Sequence, residues 1–198
     1  MMEFGEDMKY VLPLPLADGS GEWQWELCRP NILVARSVER SAALRRLFSV
    51  KLSSPRAPWS IILAHDEITP GAVLRPDNRR KFVCFYFSFH EFGHHAIRNE
   101  LAWFLVGVAR SSKLAKVAGG LSAAVKRIVP ALTMGHGSFA EGIVLPLDTG
   151  PTMLFARFRN HLGDEAALSR GRSYLQTFLL SHCEHLAWST NGQCHCSH

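Results

Sequence analysis

The sequence lacks any long hydrophobic run. Its longest apolar stretch, from Leu101 to Ala109, is shorter than the roughly 20 residues that a membrane-spanning helix needs, so no membrane partner is expected. The chain starts with acidic residues, Glu3, Glu6 and Asp7, where a secretory signal peptide would be basic. This start predicts an intracellular protein that is not secreted. Internal repeats and low-complexity tracts are also lacking, which excludes repeat architectures.

Cysteine is scarce, with 5 in 198 residues. Cys28 and Cys84 stand alone in apolar stretches, as free buried cysteines usually do. The other three lie among histidines near the end of the sequence, and a zinc site there would use Cys183, His185, Cys194 and Cys196, or another subset. The last two of these cysteines are only one residue apart, which matches no standard zinc finger, so a frayed tail is the alternative.

The charge balance is basic but moderate. A formal net charge of +5 and an isoelectric point near 9.1 permit contact with a polyanion such as DNA without requiring it. Hydrophobic residues make up 47% of the chain and charged residues 20%, which is typical of a globular protein with one core. One cationic cluster is a candidate nucleic-acid surface, with an ordinary solvated face as its alternative: Arg75, Arg79, Arg80 and Lys81.

One short motif has the spacing of a zinc peptidase, His90-Glu91-x-x-His94. In such enzymes the two imidazoles bind one Zn²⁺ from one face of a helix, and the glutamate acts as the base toward a bound water. Glu100 is at the position of a third ligand, although the glycine expected three residues after His94 is replaced by Ile97. The motif therefore predicts an alternative function as a zinc metallopeptidase.

The residues upstream of this motif argue against that alternative. The segment from Phe82 to Phe89 is dense in aromatic and β-branched residues, which predicts a strand rather than the helix that a zinc peptidase needs. The segment from Trp59 to Ala64 has the same character, and the two should pair in antiparallel fashion. In the competing interpretation, His90 and Glu91 end a strand and His94 lies in the following turn.

Periodicity along the rest of the chain predicts helices and a further strand pair. Helices are expected from Ser37 to Phe48, from about Asn99 with an apolar stripe, and from Leu121 to Val129. The expected stripe after Asn99 consists of Leu101, Phe104, Leu105 and Val108. Residues 142–147 and 152–158 predict a hairpin. This order predicts an α/β or α+β fold, a mixed sheet with helices packed on it.

Two aspartates follow apolar strands at distant points of the chain. Asp66 comes after the strand that begins at Trp59, and Asp164 comes after the last predicted strand. Carboxylates on neighbouring strand ends can hold a pair of Mg²⁺ or Mn²⁺ ions, as in ribonuclease-H-like nucleases and transposases. The alternatives are structural, because Asp66 suits a turn and Asp164 suits a helix N-cap.

The segment from His65 to Lys81, with Phe85–Phe89 and Glu91-Phe92-Gly93 after it, resembles an uncharacterised family that is repeated many times in protist genomes. The layout of that family is similar to the catalytic domain of CACTA-type transposases. The resemblance implies a partial RNase H-like arrangement, a DNA partner and a nuclear location. It also implies that Asp66, and Asp164 in its Asp-x-x-Ala context, are remnant catalytic acids.

The chain departs from the transposase pattern after Leu168. Residues 169–172 replace the expected glycine-rich stretch that leads to a Cys-x-x-Cys pair, and no third acid is identifiable. The resemblance therefore implies a truncated, inactive relative that retains nonspecific nucleic-acid binding. It divides the chain into an N-terminal extension (1–57), a transposase-like core (58–168) and a divergent, helical, Cys/His-rich tail (169–198). A non-catalytic interaction module that uses the basic cluster is a further alternative, and the oligomeric state is left open.

Overall fold

The structure, a computed structural model, describes residues 6–68, 81–135 and 137–162. Within these ranges the strands are β1 (Lys9–Pro15), β2 (Glu22–Cys28), β3 (Trp59–Ile68), β4 (Phe82–Phe89), β5 (Phe104–Arg110), β6 (Ile143–Leu147), β7 (Gly150–Leu154) and β8 (Ala156–Leu162). The α-helices are α1 (Pro30–Arg40), α2 (Ala42–Ser49), α3 (Gly93–Ile97), α4 (Ser111–Leu114) and α5 (Gly120–Thr133).

The centre of the fold is a four-stranded mixed sheet in the order β5-β4-β3-β8. Strands β3, β4 and β5 form an antiparallel meander, and β8 returns to lie parallel to β3. Hairpins β1–β2 and β6–β7 form separate two-stranded sheets. Helices pack against this sheet, so the predicted class, a mixed sheet with helices packed on it, is confirmed.

The pairing of β3 with β4 confirms the strongest strand prediction. Ile61 lies opposite Phe89, and Ile68 lies opposite Phe82, in an antiparallel register without interruption. Strand β3 is longer than predicted, because it continues through Asp66 to Ile68. The apolar first half of β3 is buried on both faces, whereas its last three residues are exposed.

The helix predicted after Asn99 is wrong, because most of its apolar stripe belongs to strand β5. The side chain of Asn99 does accept a hydrogen bond from the Leu101 backbone at 3.0 Å, but the turn that it caps ends at Ala102. In β5, Phe104 is buried while its neighbour Leu105 is 41% exposed, as the two-residue alternation of a strand requires.

The other predicted elements are confirmed with shifted boundaries. The helix expected from Ser37 to Phe48 is two helices, because Ser41 adopts an extended conformation and its hydroxyl caps α2 at the Leu44 backbone N–H. Helix α5 contains the helix predicted from Leu121 to Val129 and buries Ala124, Val125, Ile128 and Val129 on one side. The predicted hairpin is formed by β6 and β7, but residues 156–158 belong to β8 in the central sheet.

Aromatic side chains from several elements form the core on one face of the central sheet. Phe48 of α2 lies 5.4 Å from Trp59 of β3, measured between ring centroids. Phe87 and Phe104, on β4 and β5, lie 5.2 Å apart. Phe139 reaches the same cluster, 5.7 Å from Phe87. Each of these five rings is less than 5% exposed, so the cluster joins the helical layer to the sheet.

The residues predicted as an N-terminal extension pack on the same face of the sheet. Trp25 of β2 lies 5.2 Å from Phe85 and donates its indole N–H to the carbonyl of Val108 at 3.1 Å. A Cβ atom on Gly107 would lie only 2.2 Å from a methyl carbon of Leu27, so glycine permits this close approach of β2 to β5. In the part of the chain that is described, no helix is both long and apolar enough to cross a membrane.

Candidate functional site at one end of the central sheet

One end of the central sheet brings together residues that are far apart in the sequence. Because β3 and β8 are parallel, both strands end there, and β4 begins there because it is antiparallel to β3. At this end Ala64 lies opposite Leu162, and Ile68 lies opposite Phe82. We call it the β3/β8 end of the sheet.

Asp66 is exposed at the β3/β8 end, opposite Cys84 of β4. Tyr86 lies on the same sheet face, opposite Ala64. The pKa of Tyr86 is raised to about 12, first by burial, then by its interaction with Cys84, and finally by the negative charge of Asp66. Asp66 therefore presents a carboxylate to solvent, the kind of hard oxygen ligand that Mg²⁺ and Mn²⁺ prefer.

The second predicted acid, Asp164, lies outside the described residues, and most of the basic cluster and the tail zinc site lie outside them as well. These residues are Arg75, Arg79, Arg80, Cys183, His185, Cys194 and Cys196. The described residues still locate the chain just before Asp164 and on both sides of the segment with the three arginines. Asp164 follows Leu162 by two residues, and the segment with the three arginines joins the end of β3 to the start of β4.

Lys81, the last member of the predicted basic cluster, lies at the β3/β8 end in an ion pair. Its ammonium group is 2.6 Å from the Glu67 carboxylate, which also accepts a hydrogen bond from the hydroxyl of Ser111 at 3.0 Å. The guanidinium carbon of Arg110 lies 5.9 Å from the ring centroid of Phe82 at the same end. Two cationic side chains, those of Lys81 and Arg110, therefore lie at the β3/β8 end within the described residues.

The other face of β3 carries a histidine pair that the sequence did not predict. Nδ1 of His65 lies 3.0 Å from Nε2 of His161 on β8, and the ring centroids are 5.0 Å apart with 16° between the planes. His65 also lies 6.1 Å from the ring of Phe85. The only sequence signal for the pair is that each histidine stands near the end of a strand, which does not show that the strands are neighbours.

Burial, and secondarily the nearby His65, lower the pKa of His161 to about 4. An unfolded histidine has a pKa of about 6.5. Between these two values the unfolded chain binds a proton at this position and the folded chain does not. The contribution of His161 to stability is therefore complete above about pH 6.5 and is lost as the pH falls toward 4.

We expect His161→Gln to reduce the loss of stability between pH 7 and pH 4.5. The wild type should lose about 1–2 kcal/mol more than the variant, a range that already allows for the partial exposure of the ring. Urea unfolding at the two pH values measures the difference. His95→Gln, at an exposed histidine, is the matched control and should behave as the wild type. Equal losses of stability in the wild type and in His161→Gln would contradict the lowered pKa of His161.

The zinc-peptidase motif does not form a continuous helix. Strand β4 ends at Phe89, His90 lies in a single 3-10 turn, and His94 lies in the separate five-residue helix α3. Gly93 between them has a φ of 77°, which breaks the helical backbone. The two imidazoles are therefore not held one turn apart on a helix, the arrangement that this motif needs for Zn²⁺.

Glu91 and Glu100 have other surroundings than a zinc centre. The carboxylate of Glu91 accepts a hydrogen bond from the backbone N–H of Ser60 at 2.8 Å, which fixes the turn after β4 to the start of β3. Glu100 lines a cleft together with Arg36 and Trp103. Within residues 6–68, 81–135 and 137–162, no group of three or more histidine, cysteine or acidic side chains is arranged to hold a metal ion.

Comparison of the chain with protein families, curated proteins and solved structures finds no match.

Proposed function

We propose that this chain is a divergent relative of RNase H-like transposase catalytic domains. It binds nucleic acid without cleaving it and keeps a weakened divalent-cation site, formed by Asp66 and Asp164. One observation carries the proposal: β3, which contains Asp66, and β8, which ends two residues before Asp164, are parallel neighbours in the central sheet. An acid pair on neighbouring strand ends requires this adjacency. The sequence alone does not predict it, because the two acids are more than 90 residues apart along the chain.

The register of the two strands supports the same pairing of acids. Ala64 lies opposite Leu162, Asp66 follows Ala64 by two residues, and Asp164 follows Leu162 by two residues. Residues advance in step along paired parallel strands, and residues two apart point to the same face. The proposal therefore requires the carboxylate of Asp164 to reach the sheet face on which Asp66 lies, where the oxygens of the two groups would hold Mg²⁺ or Mn²⁺.

The cationic residues support a polyanion as the partner. The segment with Arg75, Arg79 and Arg80 follows Ile68, the last residue of β3, and precedes Phe82, the first residue of β4, so both of its described flanks are at the β3/β8 end. A phosphate backbone that crosses this end would meet the cations of the segment and the proposed metal site together. The bound metal ion would then screen the negative charge of the two acids from that of the phosphates.

The experiment that tests the acid pair is thermal unfolding with and without Mg²⁺ or Mn²⁺. A cation at about three times its Kd adds about 0.8 kcal/mol to the free energy of unfolding, which raises the Tm of a chain of this size by about 2–3 °C. We expect this rise in the wild type and its loss in Asp66→Asn and in Asp164→Asn. Glu26→Gln, at an exposed carboxylate of β2, is the matched control and should keep it.

Three results would contradict parts of the proposal. A rise in Tm with Mg²⁺ or Mn²⁺ that persists in Asp66→Asn would contradict the acid pair. Metal-dependent nicking of DNA that Asp66→Asn abolishes would show an active nuclease and overturn the proposed loss of cleavage. Hydrolysis of a peptide that Glu91→Gln abolishes would replace the whole assignment with the zinc peptidase.

A further inference from the structure

We propose that His65 and His161 form a binding site for a divalent transition-metal ion such as Zn²⁺ or Ni²⁺. Two imidazole nitrogens, each on a paired strand of the central sheet, point at each other at 3.0 Å. The site lies on the sheet face opposite Asp66, because consecutive residues of a strand point to opposite faces. It does not rest on the proposed nucleic-acid function.

The geometry of the pair is edge to edge. The ring centroids are 5.0 Å apart, which is 2.0 Å more than the separation of the two nitrogens, and the ring planes differ by 16°. Nearly parallel rings with these two distances have their facing nitrogens near the line between the centroids. Nδ1 of His65 and Nε2 of His161 are therefore directed into the same space, where one nitrogen donates its N–H to the lone pair of the other.

A metal ion fits between the two nitrogens after a small movement. Bonds of about 2.0–2.1 Å to a tetrahedral zinc ion place two ligand nitrogens about 3.3 Å apart. The present separation of 3.0 Å needs to open by only about 0.3 Å, which side-chain rotation supplies. Both facing nitrogens need a lone pair to bind the metal. The bridging proton therefore moves to the other nitrogen of its own ring, which stays neutral in its other tautomer.

The pairing of β3 with β8 places the two histidines beside each other before any metal binds. Strands β3 and β8 are hydrogen-bonded neighbours, with Leu63 opposite His161, and the side of His65 is flanked by Phe85. Neutral imidazole is a preferred ligand of late first-row ions, whereas carboxylates suit Mg²⁺ and Mn²⁺. The two sites should therefore differ in metal preference, and two protein ligands leave the remaining positions to water.

Zinc and nickel titration of the full chain tests the site. The background variant replaces Cys183, Cys194 and Cys196 by serine, so that the cysteines of the tail do not bind the probe. In this background we expect His65→Gln and His161→Gln each to weaken Zn²⁺ and Ni²⁺ binding at least tenfold and to remove one equivalent. The matched controls are His90→Gln and His94→Gln, at exposed histidines, and they should bind as the background does.

A second measurement does not depend on how the variants fold. In the histidine ¹⁵N spectrum of the background protein, one equivalent of Zn²⁺ should shift the signals of His65 and His161 before those of other histidines. Unchanged signals for this pair, or binding that survives both glutamine variants, would show that the contact is only a structural hydrogen bond. Asp66→Asn should leave Zn²⁺ binding intact, so failure of the acid pair and failure of this site are separate results.

Discussion

Phe104→Asp is expected to unfold the protein, whereas Leu105→Asp is expected to leave it folded. Phe104 is 4% exposed and packs on Phe87, and its ring also lies 6.4 Å from that of Phe48. The substitution removes a buried ring and places a charge in its cavity, so it should cost more than about 4 kcal/mol. A whole domain is stable by only about 5–15 kcal/mol. Leu105 is 41% exposed, and its replacement should cost about 1 kcal/mol or less.

Circular dichroism and urea unfolding of the two variants give the comparison. The pair also separates the two interpretations of this segment, because in the predicted helix both side chains share the apolar stripe and both substitutions should be severe. In strand β5 only Phe104 faces the core. A folded Phe104→Asp protein, or a Leu105→Asp protein that is equally unfolded, would contradict the strand and the core described above.

The error at β5 has a definite physical origin. Positions 101, 104, 105 and 108 match the helical spacing, but Phe104, Val106 and Ala109 are the residues of β5 with the least exposed side chains. A register shift between β4 and β5 interrupts the strict alternation that would have marked a strand. Gly107 also disfavours a helix, but the structure needs a glycine there because of the close approach of Leu27, which is distant in the sequence. Tertiary packing, rather than local periodicity, decides the structure of this segment.

The elements that were predicted correctly depend on nearby residues. Strands β3 and β4 are dense in aromatic and β-branched side chains and are neighbours along the chain, so their pairing follows from local composition and a single connection. Helix α5 repeats an apolar stripe over several turns without a competing strand pattern. In both cases one short window of sequence contains the information that fixes the structure.

The site was predictable only in part, because it depends on a contact between distant strands. The sequence marked Asp66 as the end of an apolar strand, but His65 and His161 are 96 residues apart and only the pairing of β3 with β8 brings them together. The zinc-peptidase motif shows the converse. Its spacing is correct along the sequence, and a glycine backbone in the left-handed region removes the helix that would make the spacing useful.

The proposed nucleic-acid surface should lose most of its affinity for DNA between low and physiological salt. If three phosphates are neutralised by Arg75, Arg79 and Arg80, raising the salt from about 50 to 200 mM should weaken binding about 40-fold, because each contact releases condensed counterions. The effect should not depend on the DNA sequence, because phosphate contacts do not distinguish bases. Fluorescence anisotropy with two unrelated duplexes at several salt concentrations measures the slope.

The matched comparison is between two triple variants of equal charge. Replacing Arg75, Arg79 and Arg80 by glutamine takes the formal net charge from +5 to +2, and so does replacing Arg46, Lys51 and Arg56, which precede β3 and are exposed. If overall charge attraction alone drives binding, the two variants should lose equal affinity for DNA. The proposed surface predicts that only the first variant loses the steep salt dependence, because only that segment joins β3 to β4 beside Asp66. Equal salt slopes would place the DNA contacts elsewhere on the chain, and the acid pair would then have no nucleic acid beside it.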